Sequence, residues 1–174
     1  MKRKNIYVVA TGLFFLISSF LSLSAFAQKP ITSLKENTQV LFIQVANAGE
    51  LVPNKNEAGS YRLTLKNVDP FTSYFTDRPN RVTGIVPTQE FVSMWQNRDI
   101  QSSPPNVAIE TSDLKNGHKI NRVFVLSNPV YDAQKQEITY SAKSLSKERT
   151  HKPISMGYTV LFIDDFHWHG NKFG

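Results

Sequence analysis

Cysteine is absent from this chain of 174 residues. In an oxidising compartment that rules out a disulfide framework, a thiolate metal site and a cysteine nucleophile, so stability has to come from an ordinary apolar core. A strong charge of one sign is missing too. The formal charge is +6, but Lys2, Arg3 and Lys4 stand at the very start; residues 28–174 hold 17 basic against 14 acidic side chains, a net +3. No Lys/Arg run in that stretch exceeds two residues. This excludes the basic footprint of a nucleic-acid binder, and nucleic acid is not an expected partner. The G-x-S-x-G, H-E-x-x-H and P-loop templates are also lacking.

Long apolar runs are confined to one place. After the basic start, residues run apolar from Ile6 through Phe20 to Leu23 and end in Ala25-Phe26-Ala27, the small-x-small pattern read by signal peptidase. Residues 1–27 therefore read as a cleavable signal peptide, with Gln28 as the mature N-terminus and a periplasmic or secreted destination. An uncleaved anchor is the competing reading, but Ser18, Ser19, Ser22 and Ser24 dilute the run below the roughly 20 residues that a spanning helix needs. No transmembrane segment is expected after residue 27.

Residues 28–38 are polar and aperiodic, and read as a flexible lead-in. Residues 40–46 are apolar on both parities, as in a strand covered on both faces. Residues 47–59 hold two Gly, a Pro and three Asn and read as a loop. Tyr61, Leu63 and Leu65 alternate with Arg62, Thr64 and Lys66, the pattern of a strand with one wet face. Asp69-Pro70 interrupts it before residues 72–76, predicting a hairpin. A turn-like segment follows, and then residues 88–98 read as one short amphipathic helix with Thr88 as N-cap and Phe91 and Trp95 on one face. That pair is expected in the core rather than as a ligand platform. Strands are predicted at 106–111, 120–127, 136–144 and 157–165, with Asn116-Gly117 turning between the first two. The fold class is mainly β: an antiparallel β-sandwich or flattened barrel of about seven strands with one short helix, spanning residues 39–165 and followed by a C-terminal tail, 166–174.

Several motifs stand in order along this domain: LTLKNV at 63–68, YFTDRPNR at 74–81, Thr88-x-x-Phe91-x-x-x-Trp95, PPN at 104–106 and LFID at 161–164. In these the chain resembles a family of small exported bacterial β-rich proteins with no assigned activity. The resemblance covers most of residues 60–165. It implies a shared fold and transfers no site.

Two constellations could carry chemistry. Asp77, Arg78 and Arg81 surround a turn proline. Asp77 either accepts turn N–H groups and pairs with an arginine, or the two guanidinium forks face a carboxylate, phosphate or lipid headgroup. Near the C-terminus, Asp165, His167 and His169 share one parity of an extended strand and could converge on zinc or copper, with His118 or His151 completing the shell. The competing reading is an aromatic end packed by Phe166 and Trp168. Together these features suggest a non-enzymatic binding module whose contact surfaces are the loop 47–59 and the turn 77–84, with a protein, glycan or lipid headgroup as ligand. An enzyme whose site assembles from distant residues and a zinc- or copper-binding periplasmic protein are the alternatives.

Overall fold

The computed structural model describes residues 31, 34, 35, 38–147 and 149–168, with 165, 167 and 168 described by their backbone alone. The signal-peptide reading of 1–27 lies outside them. Nine strands and two helices follow one another as β1 (Thr38–Pro53), β2 (Ser60–Val68), β3 (Phe71–Thr76), β4 (Thr83–Pro87), α1 (Thr88–Met94), α2 (Arg98–Ser102), β5 (Asn106–Ser112), β6 (Lys119–Asp132), β7 (Glu137–Ser144), β8 (Ile154–Met156) and β9 (Thr159–Trp168). Every pairing between them is antiparallel. The protein is mainly β, as the strand count in the sequence suggests.

The pairings close on themselves. Strands run β2-β7-β6-β5-β9-β1, and β1 pairs back to β2, so six strands form a ring with no edge of its own. The flattened-barrel form of the expected fold is the one adopted. The long β1 makes closure possible. Its first half pairs with β9, while its second half, Ala46 to Pro53, pairs with β2. The loop expected at 47–59 is thus strand as far as Pro53 and a turn only beyond it. Its Gly49 sits where a Cβ would come within 2.9 Å of the Thr64 carbonyl oxygen, so it marks close strand approach rather than a bend.

The Asp69-Pro70 break does not make a hairpin. Strands β2 and β3 lie one after the other along β1, with Asp69 N–H still bonded to the Val45 carbonyl at 3.0 Å. The break lets β3 leave the ring and pair with β4, a strand hidden from a sequence reading by Gly84 and Pro87. The hairpins in this part of the chain are therefore β1–β2 and β3–β4. At the other end of the sequence, the strand expected at 157–165 starts at Thr159 and runs on to Trp168 as β9, and a separate short β8 precedes it across Gly157 and Tyr158.

Alternation sends Val40, Phe42, Gln44 and Ala46 of β1 inward, with Leu63 and Leu65 of β2, Phe124 and Leu126 of β6 and Ile138, Tyr140 and Ala142 of β7. The helices close one end. Helix α1 stops at Met94, Trp95 caps it, and α2 restarts at Arg98 with Asn97 Oδ1 accepting the Asp99 N–H at 3.2 Å. The single helix expected at 88–98 is thus two short ones. Phe91 and Trp95 do share a buried face. Phe91 lies 5.0 Å from Phe42 between ring centroids, and Trp95 lies 5.6 Å from both Tyr140 and Phe166. Ile31 and Leu34, from the stretch read as a lead-in, are also buried against this core. No described helix is long and apolar enough to cross a membrane.

Candidate functional site

Thr88 opens α1 as its first residue; the N-cap is Pro87, with no side-chain cap. The Thr88 hydroxyl is turned inward instead. It donates to the Asp69 carbonyl at 2.8 Å and contacts the Thr72 hydroxyl at 3.0 Å. Because Thr88 has one proton and gives it to Asp69, Thr72 must donate to Thr88. Thr72 in turn accepts from Gln44 Nε2 at 3.4 Å, and Gln44 Oε1 accepts the Tyr140 hydroxyl at 2.8 Å. A one-directional chain of hydrogen bonds therefore crosses the interior from β7 through β1 and β3 to the helix. Burial pushes the Tyr140 phenol far above its ordinary value, and the bond to Gln44 opposes this only in part. Burial raises the Tyr74 phenol as well. Both rings are buried in the barrel interior.

The turn between β3 and β4 carries the arginine constellation on its surface. Asp77, Arg78 and Arg81 are all exposed. Asp77 Oδ1 accepts the Arg78 N–H at 2.6 Å, and its carbonyl accepts from Asn80 and Arg81. Among the described residues, Asp77 makes no ion pair with either arginine. Of the proposed metal triad only the backbone of Asp165 and His167 is described, both on β9, with His167 opposite Gln39 on β1. The side chains of Asp165 and His167, and the whole of His169, lie outside the described residues. Among the described residues no group of three or more His, Asp or Glu could hold a metal ion. His118 and His151 are exposed in separate loops. The S-x-x-K spacing of serine acyl-transfer enzymes occurs at Ser112–Lys115 and Ser144–Lys147. Both instances lie at strand ends rather than on a helix, where that spacing would bring the side chains together.

Two surfaces escape a reading of the sequence alone. The first is the outside of the ring. One row of register partners runs Ile85, Ser73, Ile43, Phe162, Ala108 and Val123 across six strands from β4 to β6. Phe75 and Leu41 form a second outward pair beside it. Ile85 is 47% exposed, Phe162 40%, Val123 39% and Phe75 38%. Phe75, Val123 and Phe162, with Leu41 and Ala108, line a depression of about 280 Å³ that Asn106 and Asp164 also border. The opposite wall of the ring contrasts with this: its outward pairs are Arg62 with Ser141, Thr64 with Thr139 and Lys66 with Glu137. The signal in the sequence was the double parity of residues 40–46. It promised cover on both faces, and the fold supplies it on one.

The second surface is the tip of the β1–β2 hairpin, where two clefts of about 520 and 590 Å³ share Val52–Asn56, Ser60 and Tyr61 as walls. The turn half of the 47–59 segment is therefore a true lining segment. A third cleft, about 350 Å³, lies between the helices and β6 and is lined by Trp95, Gln96, Gln101 and Asn128. The Trp95 indole N–H beside it is buried without a hydrogen-bond partner among the described residues.

Compared with known protein families, curated proteins and solved structures, the chain matches none.

Proposed function

We propose that this chain is an exported, non-enzymatic binding module that engages a protein partner through the outer face of β3, β1, β9, β5 and β6. One observation carries the reading: an uncharged row, apolar except at Ser73, continues across six strands of the barrel exterior, while the outward β2–β7 pairs of the opposite wall are all polar. Contiguous apolar area of this kind marks interaction surfaces, whereas scattered exposed hydrophobics do not. Covering the exposed fractions of Ile85, Phe162, Val123 and Phe75 would contribute on the order of 3 kcal/mol, from roughly 1.5–3 kcal/mol for each fully buried side chain. That is enough to seed recognition and too little to hold a complex without a surrounding rim. Export rests on the leader at 1–27, and the ordered motifs between 60 and 165 support membership of the family they resemble.

Site-specific photo-crosslinking in the producing cell tests the reading. A photoreactive residue at Val123 or Phe162 should yield one discrete adduct, and the same residue at Thr139 on the polar wall should yield none. Equal labelling at both walls refutes a dedicated face, and an adduct of twice the chain mass replaces the partner with a second copy. Mass spectrometry of the purified protein tests export: the N-terminus should be Gln28, and an intact Met1 would overturn it.

A further inference from the structure

The clefts at the tip of the β1–β2 hairpin combine shape with charge of one sign. Lys55, Arg149 and His151 line the larger, and Lys55 and Arg62 line the smaller; among the described residues no carboxylate lines either. The one acid of the turn, Glu57, is drawn away to Lys143, 3.5 Å distant. Among the described residues Lys55, Arg62, Arg149 and His151 have no acidic partner, and Glu148 lies outside those residues. Apposing several unpaired cations around one concavity is unfavourable without an anion between them.

The arrangement is also held in place. Tyr61 is buried, packed edge-on against Phe124 with ring centroids 5.9 Å apart. Its hydroxyl accepts the Thr150 N–H at 3.1 Å and contacts the Thr150 carbonyl at 3.4 Å. Thr150 is therefore clasped by the barrel wall, and its two neighbours, Arg149 and His151, stand at the cleft. Gly59, at φ +81°, leaves open the space where a side chain would meet the Arg149 guanidinium, whose Nε lies 3.6 Å from the ideal Cβ position. The turn itself is braced by Asn56 N–H donating to Asn54 Oδ1 at 3.1 Å. Ser60, Thr150 and the Asn54 and Asn56 amides add neutral polar groups to the lining.

We infer that this hairpin tip binds a phosphate-like oxyanion, free in solution or carried on a headgroup. A guanidinium fork suits two oxygens of a tetrahedral anion, and the lysine and imidazole supply point contacts around it. Because the cations are exposed, binding should weaken with salt. The inference is independent of the apolar face.

The test is titration of the purified protein with inorganic phosphate at constant ionic strength, followed by amide ¹H–¹⁵N spectra. Saturable shifts should concentrate at Gly59, Ser60, Thr150 and His151. Lys55→Gln/Arg149→Gln should weaken binding by about tenfold or more, the effect expected for losing charge-assisted hydrogen bonds. Lys135→Gln, at a lysine paired with Asp132, should leave it unchanged. Cosedimentation with neutral vesicles and with vesicles containing anionic phospholipid separates the sources: headgroup recognition requires binding to the second alone, and a solute site gives phosphate shifts with neither. No saturable shift, or equal weakening by Lys135→Gln and the double variant, overturns the inference.

Discussion

Gln44 is the place where the barrel interior can be interrogated most sharply. It is 1% exposed, inside a wall of apolar side chains, and its amide bridges Tyr140 at 2.8 Å to Thr72 at 3.4 Å. Gln44→Leu keeps the volume but leaves the Tyr140 hydroxyl buried without an acceptor. Stranding one buried polar group costs about 1–3 kcal/mol, and the longer Thr72 bond adds little to that. Tyr140→Phe strands Gln44 Oε1 in the same way and should cost a similar amount. In Gln44→Leu/Tyr140→Phe neither group is left wanting a partner, so the double variant should be only slightly worse than either single one. The expected coupling is about 1–2 kcal/mol, well above the few tenths found for independent sites. Urea unfolding of the four proteins supplies the cycle, with unchanged slopes as the sign that only the native state was altered. Additive losses would refute the reasoning, because they would mean that Gln44 and Tyr140 each find other partners and the chain of hydrogen bonds is not a unit.

Three further outcomes follow from the same interior. Burial holds the Tyr140 phenol above its ordinary value of 10.0, so beyond about pH 10 the unfolded chain releases a proton that the native one keeps. Stability should fall as pH rises there, by up to about 1.4 kcal/mol per pH unit for this group, and Tyr140→Phe should flatten the fall. Phe91→Ala removes a fully buried ring seated among Phe42, Trp95 and Phe166, and calorimetric or urea unfolding should show a loss of about 3–5 kcal/mol. Gly84→Ala would place a Cβ 2.5 Å from the hydroxyl of the buried Tyr74, and the resulting overpacking should cost about 1–3 kcal/mol. A neutral Gly84→Ala would show that the ring can withdraw.

What the sequence made legible follows from where a single physical cause operated. Period-two alternation located Tyr61, Leu63 and Leu65 and Ile138, Tyr140 and Ala142, and all six point into the barrel, because one dry face and one wet face leave an unmistakable trace. Strand β4 left none. Its inward positions are Gly84 and Val86 and its end is Pro87, so it reads as a turn. Glycine is present because the Tyr74 ring fills its side of the sheet, a fact about a neighbour ten residues away. The 47–53 segment failed for the same kind of reason: Gly49 and Pro53 resemble loop chemistry until the pairings with β2 and β8 are known. Thr88 was placed at the right spot with the wrong role. Its hydroxyl serves a hydrogen-bond chain rather than the helix end, and a capping rule has no access to Thr72 or Asp69.

The candidate surfaces divide along the same line. Arg149 and His151 carry no local pattern, being two residues apart in a polar loop, and they become a site only when Tyr61, nearly ninety residues earlier in the chain, clasps Thr150 between them. The apolar face, by contrast, was written into the sequence but misassigned. Leu41, Ile43 and Val45 on one strand and Val160 and Phe162 on the next violate the one-wet-face rule together, in register. Two adjacent strands that break the rule at the same height give each other's outer side chains partial shelter. They leave the row across them open among the described residues. This is why the outer wall, rather than the arginine turn or the C-terminal histidines, carries the proposed function. Among the described residues, its pattern asks for an apolar contact that the fold does not make.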